Sequence, residues 1–179
     1  QHIPVLDPKG RIVGLHYLAE FIRQSRRPNN VVIMAGGRGV RLKPLTDLSP
    51  KPMLKIGDKP ILESILTSFV EQGFEKFFFS INYLGSHIKE FFGNGDDWGA
   101  HISYLEEKTE LGTAGALTLL PLVPSEPIIV MNGDVLTRVD YTSLLEFHDD
   151  MKSLATVGLR HYDIEIPYGV VSLEDSQVT

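Results

Sequence analysis

The chain has no cysteine. Disulfides, thiolate metal sites and a cysteine nucleophile are therefore excluded, and a cytoplasmic location is the expectation. No apolar run approaches the ~20 residues that a membrane-crossing helix needs, so no membrane partner is expected. There is no repeat and no low-complexity tract. Positive charge is scarce beyond residue 59, where six Lys/Arg stand against nineteen Asp/Glu. An acidic body of that kind argues against a nucleic-acid partner.

What is present is ordinary globular material, 42% apolar and 22% charged, which excludes a disordered chain. The charge is unevenly placed. Residues 31–59 hold Arg38, Arg41, Lys43, Lys51, Lys55 and Lys59 against only Asp47 and Asp58. A basic segment beside an acidic body points to a small, highly anionic ligand held at one place.

Val31–Ala35 is a short apolar run ended by Gly36-Gly37, the pattern of a buried strand entering a glycine turn. Arg38–Lys59 has little periodicity and several prolines, as in a long functional loop. Pro60 suits the first turn of a helix, which Ile61, Leu62, Ile65, Leu66, Phe69 and Val70 continue at helical spacing and Gly73 stops. Strands are expected over Lys76–Ile81, His101–Leu105, Ile128–Met131, Thr156–Arg160 and Tyr168–Leu173. Helices are expected from a Ser86 cap to Phe92, over Gly112–Leu120, and from an Asp140 cap to about Lys152. This alternation predicts an α/β fold, a Rossmann-like, mostly parallel sheet flanked by helices. The first residues read differently: strand, turn and strand over Ile3–Leu15, a helix over Leu18–Ile22, then a polar linker over Arg23–Asn30.

Ligands of open α/β sheets bind at the carboxyl ends of the strands. The first strand of this sheet delivers Gly36-Gly37-Arg38-Gly39-Val40-Arg41 to that edge. Three glycines in four residues let backbone N–H groups approach an anion closely. The loop is not a Walker motif, since no Gly-Lys-Ser/Thr follows, and Leu42 occupies the position of the last Rossmann glycine. A dinucleotide-dependent dehydrogenase is correspondingly disfavoured. The six histidines show no ligand spacing, and Phe77-Phe78-Phe79 is expected in the core.

The stretch Gly36–Pro60, with Arg41-Leu42-Lys43-Pro44-Leu45-Thr46 and Pro50-Lys51-Pro52-Met53, resembles the signature of the sugar-phosphate nucleotidyltransferases. Leu111-Gly112-Thr113-Ala114-Gly115 and Asn132-Gly133-Asp134 resemble two later motifs of that family. Val40 departs from it, standing where Thr is frequent. The resemblance implies transfer of a nucleotidyl group from a nucleoside triphosphate to a sugar 1-phosphate, with release of pyrophosphate. It implies Arg41 and Lys51 as the catalytic cations and Ala35, Gly36, Gly37, Gly39, Glu107 and Gly112 as nucleotide-binding residues. It implies Asn132, Tyr168 and Gly169 toward the sugar, and Asp134 as the ligand of Mg²⁺. A carboxylate at Glu107 suits the N–H donors of guanine, with uracil second, so GTP is the favoured donor. A non-catalytic nucleotide-binding or regulatory module is the competing reading.

Only about 150 residues follow Asn30. The family's later Glu-Lys-Pro motif and second metal-binding Asp have no counterpart here. The chain is therefore expected to be part of a longer protein, with little activity by itself, and its incomplete sheet is expected to invite self-association. Residues 3–22 resemble the closing strand–strand–helix of a cystathionine-β-synthase-type (CBS) domain. That resemblance divides the chain into residues 1–28, the end of a CBS-like domain plus linker, and residues 29–179, the N-terminal part of a nucleotidyltransferase domain.

Overall fold

The structure, a computed structural model, describes residues 2–17, 26–109, 111–165, 168–169, 171, 173–175 and 177–178. The chain opens with an antiparallel hairpin of β1 (His2–Leu6) and β2 (Ile12–Tyr17). Asp7 closes its turn, accepting hydrogen bonds from the backbone N–H groups of Lys9 at 2.8 Å and Arg11 at 2.9 Å. The helix expected over Leu18–Ile22 lies outside the described residues.

The next strand, β3 (Arg27–Met34), starts earlier than its apolar run predicts. Residues 27–30, expected in a linker, are strand because tertiary bonds hold them. The Arg27 amide donates to the Gly73 carbonyl at 2.8 Å, and buried Asn29 donates through Nδ2 to the Pro127 carbonyl at 2.8 Å. A minimal hairpin of β4 (Lys55–Ile56) and β5 (Lys59–Pro60) then leads into α1 (Ile61–Glu71). β6 (Phe74–Ile81), α2 (Gly85–Phe92) and β7 (His101–Glu106) follow. A one-turn helix α3 (Gly112–Gly115) tightens into 3-10 geometry over Ala116–Leu119, so the longer helix expected there does not form. β8 (Ile129–Asn132) and α4 (Tyr141–Asp150) complete the central unit. Short strands β9 (Leu173–Glu174) and β10 (Gln177–Val178) pair with each other.

Four strands form one parallel sheet in the order β7-β6-β3-β8. β3 is the first of them in sequence yet lies between β6 and β8, so chain direction across the sheet reverses at β3. Its register sets Met34 beside Ser80 on one side and Asn132 on the other. On one face, Val31, Ile33, Phe77, Phe79 and Ile102 meet the apolar sides of α1, α2 and α4. The Phe69 ring stacks on Tyr141 at 3.9 Å and meets Phe74 and Phe77 edge-on. Gln72 ties the end of α1 to the start of α4, its Oε1 accepting from the Tyr141 amide at 2.7 Å. Phe79 packs edge-on against Phe92 of α2.

Asp140 caps α4 as its position predicts, accepting from the Ser143 amide at 3.0 Å. Ser86 is not a cap, because α2 already begins at Gly85 behind Leu84, which has a left-handed φ of 51°. The strand expected over Thr156–Arg160 is absent; Val157 and Leu159 are exposed, and the segment does not join the open edge of β8. Of the strand expected over Tyr168–Leu173, only Leu173 is in strand geometry among the described residues.

Two outcomes follow. Removing the Phe69 ring from the junction of α1, β6 and α4 is expected to cost about 3–5 kcal/mol for Phe69→Ala, read as a drop in the urea midpoint. The hydrogen bonds from Ser143 hold the Asp140 carboxyl below the usual carboxylate range. Its contribution is therefore full above that range and lost as pH falls through the lowered folded value. Asp140→Asn is expected to flatten the acid limb of a stability–pH profile.

Candidate functional site

The reversal of chain direction at β3 opens a crevice beyond the carboxyl ends of the parallel strands, where ligands of such sheets bind. A cleft of about 500 Å³ lies there. Its wall carries Gly36, Gly37, Gly39 and Arg41 from the loop after β3, Lys51 from the 3-10 turn Lys51–Met53, Glu107 and Gly112 from beyond β7, and Asn132 and Asp134 from the end of β8. The residues expected to act together are thus brought to one cleft from segments up to about a hundred positions apart. Met34, Arg38, Val40 and Pro52 also line it. Arg38 was open to detection as the basic member of the glycine run. Met34 and Pro52 carry no chemical signal in the sequence.

Ala35 does not line the cleft. It is buried behind the cradle, its amide donating to the Ser80 carbonyl at 2.8 Å. Tyr168 and Gly169 are exposed and outside the cleft wall. No strand carries them to the sheet edge among the described residues.

The bend at Gly39 has a double cause. Its φ of 60° is left-handed, a region L side chains rarely adopt. A Cβ there would also lie 2.9 Å from Thr46 Cγ2 and 3.1 Å from Lys51 Cβ. Thr46 is buried, and its hydroxyl donates to the Gly39 carbonyl at 2.9 Å. The Thr of the motif is thereby a structural tie, drawing the arginine loop back onto the lysine turn. On the other side, the Gly133 amide donates to the Met34 carbonyl at 2.8 Å, which pins the end of β8 to β3.

Lys51 and Asp134 meet across the cleft, Nζ donating to Oδ2 in an ion pair. Both are half-buried, with 32% and 29% of their side chains exposed. The pair joins the arginine loop to β8 without filling the cleft. Opposite, the Glu107 carboxylate accepts from the Ser80 hydroxyl at Oε1 and from the Leu111 amide at 3.0 Å at Oε2. Ser80, fully buried at the end of β6, was missed in the sequence. Its signal is one hydroxyl closing an aromatic strand. The arrangement can hold a polyanion on backbone N–H groups and two or three cations, beside one acid at the β8 end and a fixed carboxylate at the β7 end. Among the described residues no group of three or more His, Asp or Glu converges on a metal position. None of their helices is long and apolar enough to cross a membrane.

The profile of the nucleotidyl transferase family matches residues 30–179. Among curated relatives, N-acetylmuramate alpha-1-phosphate uridylyltransferase of Neisseria meningitidis serogroup B is 38% identical over 117 residues, 64% of this chain and 51% of its own length. Mannose-1-phosphate guanylyltransferase of Mycobacterium tuberculosis is 31% identical over 147 residues, 82% of this chain and 41% of its own length. The solved structure of HddC from Yersinia pseudotuberculosis complexed with GMP-PN superposes with a TM-score of 0.61 at 31% identity, covering 68% of this chain and 55% of that one. The chain spans about half the length of these proteins or somewhat less.

The Gly39 geometry is testable by a matched pair. Gly57 shares a positive φ, 67°, but a Cβ there meets nothing within 4 Å. Gly57→Ala is expected to cost only the left-handed backbone penalty, about 1–2 kcal/mol. Gly39→Ala is expected to cost more, since Thr46 or Lys51 must also move. Urea midpoints for the two variants measure the difference, and equal losses contradict the packing argument.

Proposed function

The chain belongs to the nucleotidyl transferase family, and from that premise we propose that its cleft serves transfer of a nucleotidyl group from a nucleoside triphosphate to a sugar 1-phosphate. GTP is the favoured donor and UTP the second. The observation that carries this reading is the meeting of the glycine cradle, Arg41, Lys51 and Asp134 at one cleft beyond β3 and β8.

In this reaction an oxygen of the sugar phosphate attacks the α-phosphorus. The bond from that phosphorus to the bridging oxygen breaks, and pyrophosphate leaves with the electron pair. The nucleophile is already an anion, so no base is required. The obstacle is bringing two anions together and stabilising charge on the leaving group, which positioning and electrostatics overcome. The backbone N–H groups of the cradle and the fork of Arg41 suit the triphosphate. Lys51 suits oxygens of both the attacking phosphate and the α-phosphate, and a bound phosphate would replace Asp134 as its counter-ion.

The donor set at Asp134 fits Mg²⁺, which is commonly held by one or two carboxylates with the remaining positions left to phosphate oxygens and water. Asp134 is such a lone carboxylate, and Lys51 already occupies one of its oxygens. When bound, Mg²⁺ supplies positive charge to the phosphate oxygens. Asn132, paired directly with Met34 and in the cleft wall, supports the sugar-side reading. The β1–β2 hairpin supports reading the first 28 residues as the end of a CBS-like domain.

Isothermal titration with GTP, UTP, CTP and dTTP in Mg²⁺, with pyrophosphate release assayed on adding a hexose 1-phosphate, separates an enzyme from a binding module. Arg41→Ala is expected to weaken triphosphate binding and to lower any measurable turnover by about 10²–10³-fold. Near-normal turnover in that variant overturns the role given to Arg41.

A further inference from the structure

We infer that Ser80 is a positioning residue for nucleobase selection, acting through Glu107. The inference rests on the nucleotide-binding reading of the cleft and adds to it the residue that aims the base-facing carboxylate.

Glu107 emerges one residue past β7, next to the end of β6. Its amide donates to the Ile81 carbonyl at 2.9 Å, and its carbonyl accepts from Asn82 Nδ2 at 3.0 Å. The backbone is thus tied on both sides before the side chain begins. The carboxylate is then held at both oxygens, by the Ser80 hydroxyl on Oε1 and the Leu111 amide on Oε2. Ser80 itself cannot drift. It is fully buried, aligned with Met34 and Leu105 in the sheet, and its carbonyl accepts from the Ala35 amide.

A carboxylate has about four lone-pair sites. The chain uses one on each oxygen, which leaves one on each. Acceptor capacity thus remains on both oxygens of a carboxylate whose orientation the chain sets. Oε1 also lies close over the cradle: a Cβ on Gly36 would sit 3.3 Å from it. That glycine admits the carboxylate to the cleft wall.

Two adjacent acceptors match two adjacent donors. Guanine offers N1–H and the N2 amino group side by side. Uracil offers N3–H between two carbonyls, and a carboxylate meets one donor and a repelling acceptor. Adenine and cytosine present an acceptor nitrogen beside an amino group and fit worse. A freely rotating carboxylate adapts its angle to a single donor and discriminates less. Ser80 supplies the restraint that makes the selection, without touching the base.

The test is direct titration of the full chain with GTP, UTP and ATP in Mg²⁺. The wild type is expected to favour GTP over ATP by about a hundredfold. Ser80→Ala is expected to shrink that ratio about tenfold, with ATP affinity unchanged, and Ser80→Cys to fall between, since it keeps the volume with a weaker donor. Glu107→Gln is expected to shrink the ratio at least as far, and adding Ser80→Ala to it to do nothing more. An equal loss for every nucleotide in Ser80→Ala, with the ratio preserved, makes Ser80 merely structural and overturns the inference. An unchanged ratio in Glu107→Gln overturns it too, while leaving the nucleotide-binding reading in place. Failure of the wild type to bind any triphosphate overturns both. Should Ser80→Ala lose its cooperative unfolding transition, Ser80→Cys carries the comparison.

Discussion

Parallel pairing of β3 on both of its edges is the constraint from which the candidate site follows. Antiparallel neighbours would send their carboxyl ends to the opposite side of the sheet. Here Met34, Ser80, Leu105 and Asn132 fall in one row, and the loops that continue Met34, Leu105 and Asn132 line the same crevice. The strand ends need no further instruction to converge. The hydrogen bonds just beyond the row, Gly133 to Met34, Ala35 to Ser80 and Glu107 to Ile81, extend the register by one residue into the loops. The first residue of each of these loops is thereby as well positioned as the sheet itself.

Onto that rigid edge the chain places charges of both signs. The glycine loop brings Arg38 and Arg41 and the lysine turn brings Lys51, with Asp134 and Glu107 opposite. Lys51 and Asp134 pair, so neither of these two half-buried charges stands alone. In the proposed reaction each partner of that pair would exchange one counter-ion for another of like sign. Glu107 is treated differently: its side-chain hydrogen bonds come from neutral hydroxyl and amide donors, which fix its direction. On the proposed reading, one carboxylate serves exchange and the other aim.

Much of the fold was legible because local signals agreed with their tertiary surroundings. The apolar run before Gly36-Gly37, the helical spacing of Ile61 to Phe69, and Asp140 ahead of α4 all read correctly. The failures share a cause. Residues 27–30 look like linker and become strand because Gly73 and Pro127 supply partners from far along the chain. Thr156–Arg160 has strand composition, but composition alone does not bring it onto the open edge of β8. Ser86 looks like a cap, and the helix starts one residue before it.

By itself the sequence determined the chemistry available at the site: a glycine-rich bend, Arg41, Lys51, Glu107 and Asp134, at spacings that resemble one family. It also determined, through the absence of cysteine and of long apolar runs, which chemistries were closed. Only the tertiary structure decided that these residues share a cleft, that Lys51 rests on Asp134, that Thr46 draws the loop in behind Gly39, and that Ser80 holds Glu107. It also left Tyr168 and Gly169 outside. The reason is physical: side-chain identity is local, but a distance across the sheet is set by the register of strands that lie up to a hundred residues apart in the chain.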